Sequence, residues 1–130
     1  MFVLGIETAT QVAGVAVVNE DRLVAERFVH NRKTHSQNLL PMIQQVLEDT
    51  GISPRELGGI AVSGGPGSFT GLRIGMAAAK SMAQVLGIPV TAVPTLDALA
   101  WNVTGVEGLI CPILDARKQE VYTCLYNSRD

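Results

Sequence analysis

Few residues in this chain carry useful chemistry, and most of them stand at the ends of apolar runs. The most conspicuous stretch is 63–75, Ser-Gly-Gly-Pro-Gly-Ser-Phe-Thr-Gly-Leu-Arg-Ile-Gly, directly after the apolar run 59–62. A glycine-rich turn between a strand and a helix can offer backbone N–H groups and a helix N-terminus to a phosphate. Three specific motifs are nevertheless excluded. A Walker A loop needs Gly-Lys-Ser/Thr at the helix entry, where this chain has Gly71-Leu72-Arg73. The G-x-G-x-x-G fingerprint meets Thr70 where its third glycine belongs. A nucleophile elbow needs glycine two residues either side of its serine, and Ser68 has Pro66 and Thr70 there. What remains is a helix entry capped by Ser68 and Thr70, which reads first as a structural turn and second as a phosphate contact.

Glu7 ends the apolar run 2–6. It could hold a hydrated magnesium ion beside a phosphate, although such an acid more often orders its own turn by accepting N–H groups from residues 8–10. Glu7, Thr8, Ser68 and Thr70 are thus the residues a phosphate would meet, if one binds. Asp115 and Glu120 could form a catalytic carboxylate pair, but they flank one turn that also holds Arg117 and Lys118, so a local salt-bridged turn is the better reading. His30 and His35 sit beside Arg32-Lys33, and no third histidine completes a ligand set. Cys111 and Cys124 have neither CxxC nor zinc spacing and read as buried free thiols, as expected in a reducing cytosol. No Ser/His/Asp or Cys/His constellation can be assembled.

The 130 residues are 47% hydrophobic with a formal net charge of −2, which suits one compact domain. That balance argues against a direct grip on a nucleic-acid backbone, since the basic residues form only two small pairs, Arg32-Lys33 and Arg117-Lys118. No signal peptide is expected, because the opening lacks a basic region and reaches Glu7 early. The most apolar region, 74–93, is interrupted by Lys80, Gln84, Gly87 and Pro89, so no membrane span is expected and the location reads as cytoplasmic.

The elements that must position these residues follow from periodicity. Strands are expected at 2–6 and 12–18, with a third at 22–29 that puts Leu23, Ala25, Arg27 and Val29 on one side. Leu39, Leu40, Ile43, Val46 and Leu47 have helical spacing within 34–50. That helix starts either at Leu40–Pro41 or near Ser36 with a kink at the proline. A buried strand at 59–62, a helix at 70–86, a strand at 88–93 and a helix capped by Thr95 and running to about 103 complete a βαβα segment. The helix 70–86 confines Arg73, Lys80, Ser81 and Gln84 to one stripe and is otherwise apolar or small, so it must be covered on more than one side. Besides its own sheet, the second cover is either another helix of the domain or another chain.

Residues 109–126 repeat the plan of 2–18: an apolar strand, an acid, a short turn and a second strand, with Asp115 in the place of Glu7. This suggests two duplicated domains, with 1–105 as the first and 106–130 as the opening hairpin of the second; a coincidental terminal hairpin is the alternative.

Taken in order, LGIETAT (4–10), THSQNLLPMI (34–43), SGGPGSFTGLRIG (63–75), PTLDALA (94–100) and LDARKQEVY (114–122) resemble the TsaB/YeaZ family across essentially the whole chain. That resemblance implies the actin-like, Hsp70-like, sugar-kinase fold of the ribonuclease H-like class: an α/β domain with a central mixed sheet and helices on both faces. It also implies a non-catalytic subunit in the synthesis of threonylcarbamoyladenosine (t6A) on tRNA, with the TsaD catalytic subunit and the TsaE ATPase as partners. A homodimer in isolation is implied too, and tRNA would be met only through the complex. ATP and magnesium would be used by the partners, leaving this chain without a cofactor. TsaD-like proteins carry an H-x-x-x-H metal pair where this chain has Thr95 and Leu99, and a glycine-rich turn where it has 116–119 without glycine. The partner surface implied comprises Leu39, Leu40, Ile43, Val46 and Leu47 of the first helix with Ile74, Gly75, Ala78 and Met82 of the second. The rival readings are a nucleotide-binding phosphotransferase or hydrolase using Glu7, Ser68, Thr70 and Asp115, a glycopeptidase-like protease, and a stand-alone homodimeric regulator.

Overall fold

The computed structural model describes residues 1–31, 33–103, 105 and 107–127, all but the side chain of Arg117; Arg32, read above as half of a basic pair, lies outside the described residues. Three strands come first: β1 (Phe2–Glu7), β2 (Ala13–Asn19) and β3 (Arg22–Val29). They are followed by α1 (His35–Thr50), a 3-10 turn (Pro54–Glu56), β4 (Leu57–Ser63), α2 (Phe69–Leu86), β5 (Val90–Val93) and α3 (Thr95–Ala100). The five strands form one sheet in the order β3-β2-β1-β4-β5. β1, β2 and β3 run antiparallel through tight connections, whereas β4 and β5 join β1 in parallel because a helix carries the chain back each time.

Register makes one face of this sheet continuous. Leu4 lies opposite Val17 and Ile60, and Ile6 lies opposite Val15 and Val62. All six are buried. α1 covers them with Leu39, Met42, Ile43, Val46 and Leu47, and α2 adds only Ala79 and Ala83 to the buried core. Each aliphatic side chain removed from water here contributes about 1.5–3 kcal/mol relative to exposure. The opposite face is built from small residues, among them Gly5, Gly14, Ala16 and Ala61. Ala98 of α3 and the ring of Phe28 join them around a shallow cavity of about 230 Å³. Helices therefore lie on both faces, as expected.

Local differences from the sequence expectation have local causes. α1 begins at His35, with Thr34 as its cap and the Gln37 side chain accepting the Thr34 N–H at 3.0 Å. Pro41 is thus inside the helix at an exposed position, where its missing N–H costs one bond to the Gln37 carbonyl. The sheet register shifts between Val17 and Val18, which puts Leu23 on the opposite face from Ala25, Arg27 and Val29 and leaves it 51% exposed. Thr95 is the first residue of α3 and not its cap, because Pro94 takes that position, and the helix ends at Ala100.

Beyond α3 come four short strands: β6 (Leu109–Ile110), β7 (Ile113–Arg117), β8 (Glu120–Thr123) and β9 (Tyr126–Asn127). They pair as β6 with β9 and β7 with β8, apart from the main sheet. The run 109–114 is thus two strands, divided at Cys111-Pro112, where proline has no N–H for a ladder. Cys111 and Cys124 are free and exposed, against the expectation of buried thiols, because no described layer covers these strands. Among the described residues no helix is long and apolar enough to cross a membrane.

Candidate functional site

The glycine-rich loop connects the end of β4 to the start of α2. It is held on both sides. Toward β5, the Gly64 N–H donates to the Val93 carbonyl at 2.9 Å, and the Gly65 carbonyl accepts the Thr95 N–H at 2.9 Å. Toward the β1–β2 turn, the Ser68 N–H donates to the Ala9 carbonyl at 2.7 Å. Ser68 caps α2, its Oγ accepting the Gly71 N–H at 3.2 Å. Gly65 has φ +106, a conformation that glycine tolerates and other residues resist, and it precedes a cis bond to Pro66.

Thr8 packs beneath the entry of α2. It is fully buried, and its hydroxyl donates to the Gly71 carbonyl at 2.6 Å. Its N–H points to the Ser63 hydroxyl at 3.4 Å. The hydroxyl of Thr8, one of the candidate phosphate contacts, is thus bonded to the protein's own backbone. The glycines of the loop explain how α2 comes so close. A Cβ on Gly67 would stand 2.7 Å from the Ala9 carbonyl oxygen; on Gly71, 2.2 Å from that of Thr8; on Gly75, 2.3 Å from the Thr8 hydroxyl. Gly67, Gly71 and Gly75 recur every four residues, so they line one side of the helix entry and press it against the turn. Phosphate loops use glycine for close approach to a ligand; here the approach is to the protein's own backbone.

Glu7 is half-buried, and its Oε1 accepts the Ala9 N–H at 2.7 Å, which is the turn-ordering role. Thr70 is exposed on the first turn of α2. Glu7, Thr8 and Ser68 are thus brought to one corner, while Asp115 belongs to the separate β7–β8 pair. Lys118 and Gln119 form its two-residue turn, both with positive φ. Asp115 pairs in register with Val121, and Glu120 with Arg117. The His35 ring Nε2 lies 2.6 Å from the Thr10 carbonyl, so this histidine holds the turn and His30 lies apart on an exposed loop. Among the described residues no three His, Cys, Asp or Glu side chains form a group that could hold a metal.

The proposed partner face needs a sharper division. Leu39, Ile43, Val46 and Leu47 are 6% exposed or less and belong to the chain's own core. Helical periodicity marks an apolar face without saying what it meets, and α1 lays these four against β2 and β3 of its own sheet. Gly75 is likewise buried, against Thr8. Leu40, at 61% exposure, faces outward, and Ile74, Ala78 and Met82 are half-buried between the helices. Leu40 and Met82, with Ile52 and Pro54, border a groove of about 500 Å³ between α1 and α2, which Gln44 and Glu48 also line. Two further apolar residues missed from sequence are exposed on α2: Phe69, 73% exposed under the Arg73 guanidinium at 5.2 Å, and Val85, 85% exposed. Phe69 was findable, since the residue directly after a cap on a helix whose inner side is glycine has to point outward.

Three comparisons bear on this geometry. A protein-family model described as TsaD, tRNA N6-adenosine threonylcarbamoyltransferase, matches residues 24–129. The Bacillus subtilis tRNA threonylcarbamoyladenosine biosynthesis protein TsaB is 42% identical over 130 residues, which is 100% of this chain and 57% of that protein. The Escherichia coli protein of the same description is 38% identical over 129 residues, 97% of this chain and 55% of its own length. Among solved structures, YeaZ from Pseudomonas aeruginosa superimposes with a TM-score of 0.85 at 32% identity, covering 97% of this chain and 60% of that one. Thermus thermophilus RuvC, at a TM-score of 0.53 and 19% identity over 74% of this chain and 65% of its own, shares the fold alone. The architecture is the actin-like, ribonuclease H-like one that the motifs implied. The chain spans less than two-thirds of the length of these relatives.

Proposed function

This chain belongs to the TsaB/YeaZ family, and on that premise we propose that it is a non-catalytic subunit of t6A synthesis on tRNA that binds and activates the TsaD subunit. The observation that carries the reading is the occupied corner at the glycine loop. The Thr8 hydroxyl, the Ser68 N–H and one oxygen of the Glu7 carboxylate are bonded to protein groups. The neighbouring surface is open: the α1–α2 groove, Leu40, Phe69 and Val85 supply the apolar area that a partner helix needs. TsaE joins as a further partner, a second copy of the chain competes for the same face, and tRNA is reached only through the assembly. ATP and magnesium act on the partner subunits, and residues 106–130 open a second, related domain.

The deciding experiment is co-purification with the TsaD and TsaE proteins of the same organism, followed by a t6A assay with and without this chain. Association and a strict dependence of product on this chain are expected. A TsaD that modifies tRNA equally well without it overturns the reading. Leu40→Glu and Phe69→Glu should each weaken association while the fold persists, since both side chains already face water. The enzyme alternative rests on the helix entry alone, and calorimetry with ATP and magnesium on the isolated chain tests it, because micromolar binding favours the phosphotransferase reading.

A further inference from the structure

The β1–β2 turn touches both helices that border the partner groove, and it does so through groups that a phosphate-binding role would leave free. On the α2 side, the Thr8 hydroxyl donates to the Gly71 carbonyl at 2.6 Å, and the Ala9 carbonyl accepts the Ser68 N–H at 2.7 Å. On the α1 side, the Thr10 carbonyl meets His35 Nε2 at 2.6 Å. His35 is the first residue of α1, and its ring also lies 3.3 Å from where a Gly71 Cβ would be. Three successive residues of one turn therefore tie down the N-terminal ends of two helices.

We infer that Thr8 and His35 are positioning residues for the partner surface: through the turn 8–10 they set how α1 and α2 lie against each other, and with it the shape of the groove lined by Leu40 and Met82. This rests on the proposed role of that groove. The physical lever is a contact distance. An O–H donor allows two oxygens to sit about 2.7 Å apart, whereas a methyl carbon and an oxygen need well over 3 Å. Thr8→Val keeps the side chain's shape and forces the first turns of α2 outward, because Gly71 and Gly75 leave no slack beneath them. Thr8→Ser keeps the hydroxyl and the short contact. At the other end, His35→Leu removes the donor to the Thr10 carbonyl, and His35→Gln restores an N–H.

The test uses the full chain and two readouts. In methyl NMR of the free protein, the Ile74 and Leu40 signals should move in Thr8→Val and return in Thr8→Ser, with Ile88 at the far end of α2 unchanged. Binding to the TsaD subunit should weaken in Thr8→Val, because the binding-competent shape of the groove is then less populated, and recover in Thr8→Ser. Unmoved Ile74 and Leu40 signals in a folded Thr8→Val, or binding lost without recovery in Thr8→Ser, overturn the inference. If Thr8→Val does not fold, the His35→Leu and His35→Gln pair decides by the same two readouts. A wild-type chain that fails to bind TsaD counts against the proposed function instead, and the NMR shifts still decide the positioning role.

Discussion

Hairpins β1–β2 and β7–β8 carry the same ingredients: an aliphatic strand, an acid, a polar turn and a second apolar strand. Their fates differ. In the first, Leu4, Ile6, Val15 and Val17 lie beneath two helices at 4% exposure or less. In the second, Ile113 is 62% exposed and Val121 57%. The acids differ in place as well. Glu7 is the last residue of β1 and binds its own turn, whereas Asp115 sits mid-strand in β7, two residues before the turn. The first turn is long and gripped by α2; the second is two residues with positive φ at Lys118 and Gln119. The second region's tie to the main domain includes one side-chain bond, from the Tyr126 hydroxyl to the Asp97 carboxylate, which raises the phenol above its ordinary pKa. A similar local pattern becomes core or surface according to what covers it.

The widest separation between the two should come from truncating equivalent apolar residues. Leu4→Ala is expected to cost about 3 kcal/mol and Val121→Ala less than about 0.5, because only the first leaves a cavity. Urea denaturation of both variants checks this. Equal losses would mean that β8 is as well covered as β1. Next in size is the turn itself. Gly71→Ala gains about 1 kcal/mol of helix propensity but drives a methyl into the Thr8 carbonyl, 2.2 Å from the new Cβ. Overpacking of that kind costs about 3 kcal/mol, so a net loss of about 2 is expected, and a neutral result would show that α2 can lift off the turn freely.

At the second turn the sign reverses. Gln119→Gly relieves a residue held at φ +61, worth about 1 kcal/mol, and loses part of that to the greater freedom of glycine in the unfolded chain. A net gain of about 0.5 kcal/mol is expected, read as slower amide exchange in residues 113–123. Faster exchange there would show that the Gln119 side chain contributes more than its backbone costs.

These differences also explain which features were legible in the sequence. β3 could be placed at 22–29 and α2 at 70–86 because alternation and helical spacing are local properties. The purpose of the glycines was not legible. Whether Gly71 and Gly75 make room for a phosphate or for Thr8 depends on a residue more than sixty positions away, and the loop looks the same in either case. Leu39 and Leu40 illustrate the same limit from α1. They are adjacent in an apolar run, yet one is 1% exposed and the other 61%, and only the sheet beneath α1 decides which. The side of Leu23 was lost for a related reason, since alternation cannot reveal that β3 carries one extra residue, Val24, against β2.

The smallest expected effect concerns a tie that the first region has between its edge strand and α1. Arg27 on β3 donates to Asp49 near the end of α1 through Nε at 2.7 Å and a second nitrogen at 3.1 Å, a forked contact on an exposed surface. The hydrogen bond from Arg27, with its charge in support, holds the Asp49 carboxyl below its ordinary value. A carboxylate whose pKa is lowered by folding adds stability above its unfolded value, near pH 4, and loses it as pH falls through the folded value. Asp49→Asn should therefore lower the denaturation midpoint slightly at pH 7 and by less at pH 2, because the contribution of the wild-type carboxylate fades as it protonates. Salt should shrink the difference at pH 7, because both groups face water. A gap of equal size at both pH values would assign the effect to the shape of Asp49 in the last turn of α1, and the edge of the sheet would then be held by contact alone.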